Sequence, residues 1–135
     1  MKPRAIEHYV DGHHVGGGAR FEVHNPVDGS LVATVCEAGD TVVNEAVAAA
    51  RRALTGSWAE LSAAGRAQLL RAVSAGIERR FDDFVDAEIA DTGKPVSQAR
   101  TLDIPRGAAN FNFFANLSES VGGDCFETAT PDGRG

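Results

Sequence analysis

The chain has 135 residues, 43% hydrophobic and 24% charged, which is the balance of one ordinary folded domain and excludes a disordered or fibrous protein. Its formal net charge of -6 disfavours binding to nucleic acid or to an anionic membrane, because such surfaces normally carry a basic excess. No apolar run is long enough for a signal peptide or a membrane span, and Cys36 and Cys125 lack Cys-x-x-Cys spacing, so we expect a cytoplasmic protein with free thiols.

Residues 6–35 are predicted to form a small antiparallel β unit. Asp11 and Gly12 are a hairpin-type dipeptide after the first apolar segment. The alternating segment 21–23 and the apolar segment 31–35 follow, separated by further turn residues.

Three helices are predicted next. The first begins behind Asp40 as N-cap and is closed by Gly56, and the second begins near Ser62. The third ends at Gly93, because glycine is favoured in the left-handed position after a helix. The second helix is expected to bury one stripe of apolar residues: Leu69, Leu70, Val73 and Ile77.

A fourth helix is predicted over residues 97–117, with a kink at Pro105 because proline removes a backbone donor. One more strand is expected at residues 125–128. The four helices could close on one another as an independent α+β domain, or their apolar stripes could cover a larger sheet that this chain does not contain. Composition alone leaves both readings open.

Several catalytic and binding motifs are not supported by their context. Gly16-Gly17-Gly18 leads into a strand, whereas a dinucleotide-binding loop leads from a strand into a helix. The adjacent residues His13 and His14 point in different directions, without a cysteine or carboxylate at metal-ligand spacing. Cys36 has no basic or histidine neighbour in sequence that would activate it as a nucleophile, and Cys125 is likewise interpreted as an inert thiol.

An ordered set of short motifs carries a family resemblance. In chain order these motifs are Tyr9-Val10-Asp11-Gly12, Asn25-Pro26, Trp58, Arg66 and Asp91-Thr92-Gly93-Lys94-Pro95. They occur in the same order in the NAD-dependent aldehyde dehydrogenases, which the chain resembles over nearly its whole length. The resemblance implies an α/β fold of which this chain is the N-terminal portion. Residues 1–118 would belong to the NAD-binding domain, and residues 119–135 would be the first strand of the bridging, oligomer-forming region.

Asp91 lies near the end of the third helix, where the helix dipole is negative and some positive group should offset the carboxylate. Lys94 is the simplest candidate. In the family that the chain resembles, the matching aspartate helps to bind a structural monovalent cation with the backbone carbonyl of the residue matching Val23, so these two residues are the candidate metal ligands.

Arg106 is the candidate substrate-binding residue. From spacing alone a solvated helix arginine is the simpler reading, although a planar guanidinium can bind a carboxylate through two hydrogen bonds. The segment Asp103-Ile104-Pro105-Arg106-Gly107 resembles the 2-hydroxymuconic semialdehyde dehydrogenases, in which this helix lines the substrate tunnel. The resemblance implies that Arg106 holds the carboxylate of a small semialdehyde and that Leu102 lines the same tunnel.

The resemblance also implies which parts of the enzyme this chain lacks. The family's nucleophilic cysteine, its catalytic glutamate and its NAD site all match positions after Gly135, so no catalytic residue is assigned and the chain is expected to be incomplete, inactive alone and part of a homo-oligomer. The competing readings are a standalone, non-enzymatic helical interaction module and a different enzyme that uses Asp91 and Arg106.

Overall fold

A computed structural model describes residues 3–122 of the chain. The strands are β1 (Arg4–Ile6), β2 (His8–Val10), β3 (His13–Val15), β4 (Arg20–His24) and β5 (Leu31–Cys36). The helices are α1 (Asp40–Ala53), α2 (Ser57–Glu60), α3 (Ala63–Arg79), α4 (Phe81–Thr92), α5 (Val96–Gln98) and α6 (Ile104–Ser120), and a π-helical turn (Ala99–Asp103) joins α5 to α6. The strand expected at residues 125–128 lies outside the described residues.

The strands form two sheets. Strand β5 is the centre of a three-stranded sheet in the order β1-β5-β4, and β2 pairs with β3 as a separate hairpin. The antiparallel pairings β4–β5 and β2–β3 agree with the predicted β unit, and the hairpin turn has positive φ at both Asp11 and Gly12. Strand β1, which the sequence did not predict, pairs parallel to β5, so the three-stranded sheet is mixed.

The predicted starts and ends of the first three helices are largely confirmed. Ser62 is the N-cap of α3, where its hydroxyl accepts a hydrogen bond of 3.1 Å from the Gly65 N–H. Gly93 ends α4 in the left-handed conformation, with φ of 69°. The N-cap prediction for Asp40 is wrong, because Gly39 holds that position and Asp40 is the first residue of α1, where its charge faces the positive end of the helix dipole.

Loss of the Ser62 cap is expected to destabilise the fold. Replacing Ser62 by alanine should lower the free energy of unfolding by about 1 kcal/mol, because the amide of Gly65 loses its acceptor. Replacing Ser62 by glycine should cost only about 0.3 kcal/mol, since glycine leaves the helix end open to water. Denaturant unfolding of the two variants, each made in a complete protein that contains this chain, checks this order, which equal losses would contradict.

The fourth predicted helix departs from regular α-helix beside Pro105. The Ile104 N–H bonds to the carbonyl of Ala99, five residues earlier, so the chain makes a π turn before α6 begins. In an unbroken α-helix the Pro105 ring would clash with the carbonyl four residues before it. The predicted distortion therefore takes the form of a widened turn just before the proline.

The buried core of the described part is small. Eight side chains in residues 3–122 are buried, and five of them are alanines, so the helices approach closely without a layer of large apolar residues between them. Val85 is the largest apolar side chain among them. Ser74 on α3 is buried as well, and its hydroxyl accepts a 2.9 Å hydrogen bond from the Asn112 amide of α6.

The predicted buried stripe on α3 is wrong at two of its four positions. Leu69 and Val73 are 48% and 44% exposed, whereas Ala67 and Ser74 are buried. The face of α3 that meets α6 is lined by small residues, so part of the broad apolar surface of α3 remains uncovered. Large apolar side chains on α2 and α6 are exposed as well: Trp58, Phe113, Phe114 and Leu117.

Candidate functional site

A cavity of about 390 Å³ lies between the three-stranded sheet and α4. Val23 on β4 and Asp91 in the last turn of α4 both line it, so the fold brings together the two residues predicted to bind a cation. The pairing of β4 with β5 is irregular beside Val23: Val23 pairs with Ala33, but His24 pairs with Leu31. Val32, which lies between Leu31 and Ala33, is therefore an extra residue that forms a β-bulge, and it also lines the cavity.

Asp91 is exposed and lacks a hydrogen bond or ion pair from another side chain in residues 3–122. Arg4 on β1 is the one basic residue among the described residues that line the cavity. A carboxylate at the negative end of a helix favours a nearby positive charge. The cavity is thus lined by Asp91 and by residues beside the β5 bulge, and carboxylate and backbone carbonyl oxygens are ligands that suit a hard cation.

The expectation that Lys94 offsets Asp91 is wrong. The Lys94 ammonium instead lies 2.9 Å from Glu88 Oε1 and 3.1 Å from Asp103 Oδ2. Hydrogen bonds to Glu88 and then to Asp103 raise the pKa of Lys94 above its ordinary value. This pairing therefore stabilises the fold at neutral pH, and the contribution of the Lys94 ammonium is lost as the pH rises through the raised pKa.

The cluster of Glu88, Lys94 and Asp103 was not predicted from the sequence. Glu88 precedes Lys94 by six residues and Asp103 follows it by nine, which are not the spacings of side-chain pairs on one helix. Only the left-handed turn at Gly93 and the π turn bring the three charges together.

The two predicted substrate-binding residues lie on the π turn and at the start of α6. Leu102 is 50% exposed, and Arg106 is also exposed. No side chain in residues 3–122 forms a hydrogen bond or ion pair with the Arg106 guanidinium, which is also true of Arg51, whereas Arg52, Arg71, Arg80 and Arg100 are each paired with a carboxylate. Arg106 is therefore a cation without a side-chain partner in residues 3–122, four residues after the exposed side chain of Leu102.

Two kinds of site need a particular arrangement of residues: a transition-metal cluster and a dinucleotide-binding loop. No group of three or more histidine, cysteine or acidic side chains within residues 3–122 is placed to bind a metal ion. Gly16-Gly17-Gly18 joins β3 to β4, so it does not form the strand-to-helix phosphate loop of a dinucleotide site. In the same part of the chain, no helix combines the length and the apolar character that a membrane crossing requires.

The chain is similar to aldehyde dehydrogenases over nearly its whole length. The model of the aldehyde dehydrogenase family matches residues 14–134. The 2-hydroxymuconic semialdehyde dehydrogenase of Pseudomonas sp. (strain CF600) is 50% identical over 134 residues, which are 98% of this chain and 28% of that protein. The 2-aminomuconic 6-semialdehyde dehydrogenase of Pseudomonas sp. is 47% identical over 96% of this chain and 26% of that protein.

A solved structure shows the same fold. An NAD+ complex of an aldehyde dehydrogenase from Bacillus cereus aligns with a TM-score of 0.86 at 33% identity, covering 90% of this chain and 26% of that one. The chain thus spans about a quarter of the length of the proteins that it matches.

Proposed function

Because the chain belongs to the aldehyde dehydrogenase family, we propose that it supplies the N-terminal part of an NAD-dependent enzyme that oxidises a carboxylate-bearing muconic semialdehyde. The similarity to dehydrogenases named for 2-hydroxymuconic and 2-aminomuconic semialdehydes supports this substrate class. Residues 1–118 would form part of the NAD-binding domain, and residues 119–135 would begin the bridging region of a homo-oligomer. The NAD site itself would be built by residues that this chain does not contain.

The observation that carries the proposal is the unpaired guanidinium of Arg106. An arginine that has no carboxylate partner in the described part of the chain is free to bind one from a ligand, with the two parallel hydrogen bonds that suit its planar shape. Leu102, 50% exposed and four residues earlier, would pack against the apolar part of the same substrate. This pair would bind and orient the end of the substrate remote from its aldehyde.

The small core supports the interpretation that the chain is part of a larger domain rather than an independent module. A helical module that functions alone needs its own buried layer, but most of the buried residues in the described part of the chain are alanines, and large apolar side chains such as Phe113 and Leu117 are exposed. We therefore expect the chain alone to be inactive and to aggregate or to pack loosely. A monomeric chain that unfolds in one sharp transition would favour the standalone interaction module instead.

A chimera tests the proposed activity. In it the chain replaces the 134 matched residues of the Pseudomonas sp. (strain CF600) enzyme, and NADH formation is measured with 2-hydroxymuconic semialdehyde and with hexanal, which lacks a carboxylate. We expect kcat/KM to favour the semialdehyde by about a hundredfold, because a site built for a polar group discriminates strongly against analogues that lack it. A folded chimera that accepts hexanal equally well would contradict the proposal.

We also propose that the Val23 carbonyl and Asp91 bind a structural monovalent cation, since both line the cavity beside the β5 bulge. Replacing choline chloride by potassium or sodium chloride at equal ionic strength should stabilise the chimera by about 1 kcal/mol through preferential binding to the folded state. The increase in thermal midpoint should vanish in Asp91→Asn. It should persist in Asp86→Asn, an exposed acidic position on the same helix, and loss in both variants would indicate a general charge effect.

A further inference from the structure

Side-chain contacts connect the π turn that carries Leu102 to α4 at both ends of the turn. At the first end, Arg100 forms an ion pair with Asp82 and lies 5.4 Å from the centre of the Phe81 ring. At the other end, Asp103 accepts a hydrogen bond from Lys94, which follows the last turn of α4. The turn is thus fixed relative to α4 by charged side chains on both sides of Leu102.

The contact at Asp103 is less exposed to solvent than the contact at Arg100. The side chains of Lys94, Glu88 and Asp103 are 36%, 29% and 24% exposed, whereas Arg100 and Asp82 are 51% and 75% exposed. Partly buried charge pairs are less screened by solvent than exposed ones. Lys94 also bridges two carboxylates, so it fixes the end of α4 and the end of the π turn relative to each other.

The position of this bridge relates it to the substrate-binding pair. Asp103 immediately follows Leu102 and precedes Arg106 by three residues, with Pro105 between them. A shift of Asp103 would therefore move both exposed side chains together. We propose that Lys94 is a positioning residue, which holds the π turn through Asp103 and so sets where Leu102 and Arg106 meet the substrate.

This inference rests on the proposed function of Arg106, and the chimera described above tests it. Lys94→Met removes the ammonium and keeps an unbranched side chain. We expect KM for 2-hydroxymuconic semialdehyde to rise about five- to tenfold, with little change in kcat or in KM for hexanal. The reason is that a displaced Arg106 guanidinium would no longer be aligned with the substrate carboxylate. Amide hydrogen exchange in residues 99–104 should become faster in the same variant.

Two further variants separate positioning from general destabilisation. Lys94→Arg keeps the charge and should restore most of the affinity. Arg52→Met breaks the 2.8 Å ion pair with Asp11 between the hairpin and α1, and should leave both KM values and exchange in the π turn unchanged.

Unchanged exchange in residues 99–104 of Lys94→Met would overturn the positioning role, as would an equal rise in KM for both aldehydes. If Arg106→Met leaves the aldehyde preference unchanged, the proposed function itself fails and the positioning role fails with it. Faster exchange in the π turn together with a rise in KM confined to the semialdehyde supports the inference.

Discussion

Replacement of Gly93 by alanine is expected to lower the free energy of unfolding by about 2–4 kcal/mol, combining a left-handed backbone penalty with crowding in a packed contact. Gly93 has φ of 69°, a conformation that residues with a Cβ atom rarely adopt. This is the residue at which α4 ends and the chain turns towards Lys94.

Crowding adds to the backbone penalty because the space beside Gly93 is filled. A Cβ atom at this position would lie 2.8 Å from Pro26 Cγ and 3.0 Å from Val27 Cγ2, in the turn between β4 and β5. The proline ring is rigid, so the clash must be relieved by moving the backbone of one of the two turns. The strain would therefore reach the wall of the cavity that Asp91 lines.

Gly107 provides the matched control. It lies within α6, and apart from its own helix backbone a Cβ atom there would meet no atom of residues 3–122 within 4 Å. Gly107→Ala should therefore raise stability by about 0.5–1 kcal/mol through helix propensity alone. The apparent thermal midpoints of the two chimera variants check the prediction: Gly93→Ala should fall below the parent and Gly107→Ala above it, and equal midpoints would contradict the argument.

Features set by local chemistry could be predicted from the sequence. The Ser62 cap, the left-handed turn at Gly93 and the hairpin at Asp11-Gly12 each depend on one or two residues with restricted conformational preferences, and each is confirmed. The place where the fourth helix departs from regular geometry was also predictable, because proline cannot donate the required hydrogen bond.

Features that depend on distant partners could not be predicted in this way. Strand β1 has three exposed residues without clear alternation, and only the edge of β5 makes it a strand. The stripe on α3 failed because small residues define its contact with α6, whereas hydrophobic periodicity gives most weight to large ones. For the candidate site, the sequence identified Asp91 as a charge needing a partner and the family resemblance identified Arg106 as a carboxylate-binding candidate, but the structure was needed to show that Lys94 pairs elsewhere.

Replacement of Arg106 by methionine is expected to produce the largest functional effect in the chain. In the chimera, KM for 2-hydroxymuconic semialdehyde should rise about a hundredfold, because loss of one partner of a hydrogen-bonded charge pair costs about 2–5 kcal/mol. Arg106→Lys should recover only part of the loss, since an ammonium keeps the charge but cannot form two parallel hydrogen bonds with a carboxylate. KM for hexanal should not change in either variant.

Measuring both aldehydes separates loss of carboxylate binding from general damage to the fold. Methionine at residue 106 leaves the helix backbone and an apolar side chain in place, so general damage to the fold would affect both substrates alike. Arg51→Met is the matched control, because Arg51 is exposed on α1 and forms no ion pair within residues 3–122. If Arg106→Met behaves like Arg51→Met, the unpaired guanidinium is a solvated surface charge and the carboxylate must be bound elsewhere. A loss confined to the semialdehyde instead places the carboxylate at Arg106.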